Sequence, residues 1–132
     1  MRVLAAIVAA LLMLTTGARA EGKLLEAFSG RQTMAYLLYA LQPNCLPLPW
    51  GEIHFYMPQP PAHGKLYWRN GMVPTNYPAS NPRSVCNGRA RPGITIWYKS
   101  NPGYRGSDHF ILVVTFPAGG TTTINRPVEV HG

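Results

Sequence analysis

Ile94-Thr95-Ile96-Trp97-Tyr98-Lys99-Ser100-Asn101-Pro102-Gly103-Tyr104-Arg105-Gly106-Ser107-Asp108-His109-Phe110-Ile111-Leu112-Val113-Val114-Thr115-Phe116 is the stretch whose reading decides the fold. Ile94, Ile96 and Tyr98 alternate with Thr95, Trp97 and Lys99, the period-two pattern of a half-buried strand. Asn101-Pro102-Gly103 then turns the chain. Phe110, Leu112, Val114 and Phe116 line one face of the next segment, and Ile111, Val113 and Thr115 the other. A strand apolar on both sides is a central strand. Two such strands joined by a Gly-rich turn predict an all-β domain.

Working outward, the same alternation recurs. Ile53, Phe55 and Met57 alternate with His54 and Tyr56, and Pro58 is expected to stop the run. Leu66 and Trp68 alternate with Tyr67. Asn70-Gly71 is the strongest two-residue hairpin signal in the chain, with Met72-Val73 as the expected return. Residues 72–93 are rich in Pro, Asn, Ser, Arg and Gly and read as a loop holding Cys86. Residues 121–130 read as a last strand, broken at Asn125-Arg126-Pro127, with Pro127 placing its second half at a sheet edge. Residues 34–41 are ambiguous. Met34, Leu37, Leu38 and Leu41 have helical spacing, whereas Tyr36, Leu38 and Ala40 fit alternation, and a strand is the reading adopted. Thirteen Pro and thirteen Gly cut the 132-residue chain too finely for long helices. About seven short strands with turns between them predict an immunoglobulin-like antiparallel β-sandwich.

The N-terminus reads as an address. Met1-Arg2 is followed by an apolar run from Val3 to Leu14 and by Ala18-Arg19-Ala20, the pattern of a secretory signal cleaved after Ala20. The run is shorter than the ~20 residues that span a bilayer. The expected organisation is a signal peptide at 1–20 and one domain at 21–132, exported to the periplasm or the cell exterior. In that oxidising setting Cys45 and Cys86 are expected to form one disulfide, closing a loop worth roughly 3–4 kcal/mol in the chain-entropy model.

Charge narrows the function classes. The net charge of +7 falls to +5 once Arg2 and Arg19 leave with the signal. That excess lacks the dense Lys/Arg stripe of a nucleic-acid binder. His54, His63, His109 and His131 are scattered, and Cys86 has no His or Met neighbours of the kind a copper loop needs, so no metal or cofactor is expected. Ser107, Asp108 and His109 are adjacent, and alternating side chains in an extended run point apart, which excludes a relay among them. No G-x-S-x-G elbow is present. The paired-carboxylate alternative must draw on Glu21, Glu26, Glu52, Asp108 and Glu129, two of them in the N-terminal tail. The expectation is a protein that is not an enzyme, a small enzyme with an unrecognised site being the alternative.

Two segments carry a resemblance. Pro61-Ala62-His63-Gly64-Lys65-Leu66 resembles the Pro-x-His-Gly turn of bacterial cadherin-like and immunoglobulin-like domains of exported proteins. The run from Tyr98 through Gly103, Tyr104, Gly106 and Asp108 to Phe110 is similar to their Tyr-x-Pro-x-x-Gly-Phe-x-Gly-x-Asp-x-Phe motif. The match covers about half of the mature chain. It implies a fold and an exported setting, not a reaction, and it implies scaffold roles for His63, Gly64, Tyr98, Gly103, Tyr104, Gly106, Asp108 and Phe110. Gly103 and Gly106 suit positive φ. Asp108 suits acceptance from turn N–H groups. Tyr104 suits a ring laid on the sandwich edge with its hydroxyl returned to the backbone.

The departures are Ser100 in place of the usual Pro, the long loop around residues 81–88, and the disulfide. Calcium needs a shell of several carboxylates, and Asp108 is the only Asp in the chain. Arg83, Arg89 and Arg91, with Asn81 and Asn87 and the aromatics Trp50, Tyr56 and Tyr77 in flanking segments, form the candidate contact surface. Arginines near rings suit an acidic glycan, a lipid head group or an acidic envelope protein. The expected function is a periplasmic or cell-surface binding module. The alternative is an accessory or inhibitor protein docking on an envelope enzyme through a sheet edge.

Overall fold

The computed structural model describes residues 22–48, 53–116 and 120–132. The expected signal peptide with its cleavage site, Trp50, Glu21 and Glu52 lie outside the described residues. Seven strands follow one another: β1 Leu25–Phe28, β2 Gln32–Leu38, β3 His54–Gln59, β4 Gly64–Val73, β5 Arg91–Ser100, β6 Gly106–Thr115 and β7 Thr121–His131. One 3-10 turn at Pro82–Cys86 interrupts the connection between β4 and β5.

The strands form two sheets, ordered β1-β7-β6-β3 and β2-β5-β4. In immunoglobulin lettering these are A-G-F-C and B-E-D, the fold expected for a Greek-key sandwich of this family of architectures. The first strand leaves B and lies parallel to β7, with Leu25 opposite Val128 and Phe28 opposite His131. All other ladders are antiparallel.

Alternation puts the core where the sequence pattern requires. Ile94, Ile96 and Tyr98 of β5 face Phe110, Leu112 and Val114 of β6, and all six are buried. Leu25, Ala27, Ala35, Leu38, Ile124, Val128 and Val130 complete the same cluster. Phe55 of β3 stacks on Trp68 of β4 at 4.9 Å and 11°, closing the gap between the free edges of the two sheets. Leu41, Val73 and Cys86 are equally buried and lie outside that cluster, at the end of the sandwich that carries the disulfide.

Four local readings change. Asn70-Gly71 is not a hairpin: it lies inside β4, opposite Ile94 and Gly93, and Gly71 does not take positive φ. Only Met72 and Val73 precede Pro74, too few for a return strand, whereas β5 offers ten consecutive pairings. Pro58 does not end β3, because a register shift between Tyr56 and Gln59 accommodates it. Pro127 leaves β7 unbroken, and the segment after it is not an edge, since β1 covers Val128 to His131. Leu25–Phe28, assigned to the N-terminal tail, is that covering strand.

The ambiguous region is strand up to Leu38. A bulge between Met34 and Tyr36 places Ala35 and Leu38, three residues apart, both in the core. The mixed periodicity is the signature of that bulge.

Candidate functional site

The topology sends connections to two ends. Turns 29–31, 60–63 and 101–105 gather at one, and the described parts of the β2–β3, β4–β5 and β6–β7 connections, residues 39–48, 53, 74–90, 116 and 120, at the other. The two segments carrying the resemblance meet at the first end. Asp108, 8 % exposed, accepts hydrogen bonds from the backbone N–H of Ala62 at 2.9 Å, of His63 at 3.1 Å and of His109 at 2.9 Å, and from the Tyr98 hydroxyl at 2.7 Å. Two of those donors belong to the facing turn rather than to its own. The carboxylate therefore clamps Pro61-Ala62-His63-Gly64 to the start of β6. Burial pushes the Tyr98 hydroxyl well above the ordinary phenol range, and the bond to Asp108 adds to that.

Around this clamp the His63 ring stacks on Tyr104, with centroids 3.9 Å apart and planes 8° from parallel. The Tyr104 hydroxyl donates to the Ser107 carbonyl. Gly64 is required by close approach, because a Cβ there would lie 2.6 Å from the Lys99 carbonyl oxygen and 2.8 Å from the Tyr98 ring. Gly103 and Gly106 take φ of 83° and 124°. The turns 29–31 and 101–105 are tied by Gly103 N–H to Ser29 Oγ and by Gly30 N–H to Ser100 Oγ, both at 2.9 Å. These contacts hold turns together and leave the carboxylate no free lone pair aimed at solvent.

The opposite end carries what departs from the resemblance. Cys45 and Cys86 are joined, with Cα atoms 5.4 Å apart, so the disulfide links the loop after β2 to the loop after β4. Asn81 accepts from Arg83 N–H at 2.9 Å and caps the 3-10 turn. The Asn87 side chain accepts from Tyr77 N–H and donates to the Tyr77 carbonyl, both at 2.9 Å. Leu41 is held at both ends of its peptide: its N–H donates to Tyr77 Oη at 3.2 Å, and its carbonyl accepts from Arg83 Nε at 2.6 Å. Tyr39 and Tyr77 pack edge to face at 5.1 Å.

These contacts frame a cleft of about 440 Å³, lined by Tyr36, Tyr39, Leu48, Tyr77, Arg83 and Phe116 among others. It reaches all three loops of this end, the end where variable domains carry their binding loops.

The three arginines line no common cleft. Arg83 lines this cleft, with Nε already bonded. Arg89 is exposed beside a different hollow of about 320 Å³, with Met72 and Pro74. Arg91 Nε donates to the Cys86 carbonyl at 3.3 Å. Asn81 and Asn87, expected at a contact surface, hold the loop's own backbone. Tyr56 stands 66 % exposed on β3, in the sheet away from the arginines. Sequence reading missed Tyr36, Tyr39 and Phe116 as cleft residues; aromatics next to strand ends that meet at one pole were the available signal.

Ser107, Asp108 and His109 share no hydrogen-bonded chain through their side chains. The Ser107 hydroxyl donates to Glu129 at 3.1 Å, and the His109 ring contacts Gln59 and Asn125.

No family model matches the chain. No curated protein matches it. A comparison with solved structures returns the solution structure of amebosin, 12 % identical, with a TM-score of 0.43, covering 84 % of this chain and 90 % of that one. At that similarity it carries no argument about this protein.

Proposed function

We propose that this protein is an exported, non-catalytic binding module related to the bacterial cadherin-like and immunoglobulin-like domains, and that it recognises its partner with the disulfide-pinned loop end. The observation that carries the reading is the division of labour between the two ends. The residues that carry the resemblance knit the turns, whereas the disulfide, the 3-10 turn and the tyrosine-lined cleft are concentrated at the opposite end, in connections longer than a strand reversal needs. A cleft of that volume, with aromatic walls and one arginine anchored through Nε, suits a ligand that presents a ring or apolar group next to an anion.

Export is supported by the signal-like N-terminus and by the disulfide; no helix among the described residues is long and apolar enough to cross a membrane. A role without catalysis is supported by the occupation of Asp108 by four donors and by the divergent partners of Ser107 and His109.

The test is capture of a partner from envelope extract by the oxidised protein and by its Arg83→Glu/Arg89→Glu/Arg91→Glu form. The reading expects loss of the captured partner with the fold retained by near-UV circular dichroism. Undiminished capture by a folded triple variant refutes it.

A second reading, docking on an envelope enzyme through a sheet edge, is favoured by β4. That ten-residue strand pairs on one side only and exposes Met72. Asn70→Lys/Met72→Lys would then abolish capture while the triple arginine variant kept it.

A further inference from the structure

The outer face of the β2-β5-β4 sheet forms three cross-strand rows that the loop-end reading does not use. Gln32, Lys99 and Lys65 make the first, Met34, Trp97 and Tyr67 the second, and Leu37, Thr95 and Arg69 the third. Met34, Tyr67 and Arg69 are exposed, and Trp97 and Lys99 are half-buried. The strands β2, β4 and β5 contain no Asp or Glu. The described acids Glu26, Asp108 and Glu129 all belong to the other sheet.

One feature of this face is costly unless an anion comes to it, and a second prepares the face for one. Lys65 and Lys99 stand directly opposite each other in the β4–β5 ladder. Like charges in that position, with Cβ atoms about 5 Å apart, repel and destabilise the pair. Neither makes an ion pair among the described residues, where the pair found is Glu26 with His131. Arg69 is held with its Cζ 5.4 Å from the Trp97 ring centroid, and its Nη2 donates to Gln32 Oε1 at 2.7 Å. The guanidinium is thus laid diagonally across the sheet and fixed before any ligand arrives, which lowers the ordering cost of binding. A hollow of about 180 Å³ lies beside Lys65, Tyr67, Lys99, Ser100, Asn101 and Pro102.

We propose that this face is a binding platform for an acidic polysaccharide: carboxylates meet Lys65, Lys99 and Arg69, and sugar rings lie on Tyr67 and beside Trp97. The rows from Lys65 to Arg69 cover about 13 Å along the strand, an extended track rather than a point site. Cations alternating with flat rings fit a chain that alternates anions with rings. The platform is independent of the loop-end cleft.

The test is isothermal titration of the oxidised protein, as the cell processes it, against polygalacturonate, with neutral dextran and phosphatidylglycerol vesicles alongside. Polygalacturonate binds and dextran does not, and binding weakens with salt. In isotope-labelled protein the amide shifts that move are those of residues 65–69 and 95–99. Lys65→Gln/Lys99→Gln lowers the association constant about tenfold or more, roughly 1.4 kcal/mol, without lowering the melting temperature, since a repulsion is removed. Tyr67→Ala also weakens binding, and Arg83→Glu/Arg89→Glu/Arg91→Glu leaves it within about twofold. The proposal is overturned if polygalacturonate does not bind, if dextran binds as well, if only vesicles bind, if the shifts map elsewhere, or if the double lysine variant binds undiminished.

Discussion

Asp108→Asn is the substitution that most directly probes how the turn end is held. The side chain keeps its size, and one oxygen remains for Ala62 and His109 N–H groups. The other oxygen becomes an amide NH₂ facing His63 N–H, donor against donor, and the Tyr98 hydroxyl must rotate to accept instead of donate. One charge-assisted bond is lost outright, and the remainder become neutral. Hydrogen bonds to a charged group contribute about 1.5–3 kcal/mol, roughly twice a neutral one. The expected loss is therefore about 2–3 kcal/mol at neutral pH, a large share of the ~5–15 kcal/mol that holds a domain of this size. In a thermal scan that corresponds to a fall of roughly 10 °C.

The effect is also local. Ala62 and His63 amides should lose hydrogen-exchange protection, while Cys86 and the loop-end amides keep theirs. Urea titrations of both proteins, with equal m-values, give the free-energy difference. A loss below about 0.5 kcal/mol would mean the carboxylate does not clamp the two segments, and would remove the physical reason offered for their co-occurrence.

The other expectations concern the core and the disulfide. Tyr98 holds its proton more tightly in the folded chain than unfolded, where phenols titrate near pH ~10. Its contribution is whole below that pH and is lost as pH rises toward the folded value, so stability falls by up to ~1.4 kcal/mol per unit above pH ~10. Tyr98→Phe should flatten that alkaline fall, and an unchanged slope in urea titrations at pH 9 to 11 would contradict the assignment.

Cys45→Ala/Cys86→Ala opens a 41-residue separation and should cost about 4 kcal/mol, read as the shift in urea midpoint against the oxidised protein. Cys45 itself has φ of 66°. Placing Gly there, in Cys45→Gly/Cys86→Ala, should recover roughly 1 kcal/mol relative to the double alanine form. Gly93→Ala puts a methyl 2.7 Å from the Leu38 carbonyl oxygen and against Val73, and should destabilise by about 2 kcal/mol or more in the same assay.

What the sequence by itself determined is the pattern that depends on neighbours one and two positions away. Alternation in residues 94–98 and 110–116 marks the two central strands, Pro and Gly set the short segments, and two cysteines in a chain with a secretory-type start point to one bridge. Where pairing across the chain competes with a local preference, tertiary structure decided. Asn70-Gly71 has the chemistry of a hairpin, but ten ladder pairs with β5 outweigh a two-residue turn signal with no return strand. Leu25–Phe28 shows four unremarkable residues until β7 gives their backbone groups a partner.

The same division governs the candidate sites. Arg83, Arg89 and Arg91 look like one surface because they are close in sequence, yet Arg83 is bonded to Leu41 and Arg91 to Cys86, and Arg83 and Arg89 border different hollows. Tyr36, Tyr77 and Phe116, or Lys65, Trp97 and Lys99, are far apart in sequence and become neighbours only through loop closure and strand register. Register is a choice among pairings that local patterns leave nearly equal, so it is made by the whole core at once.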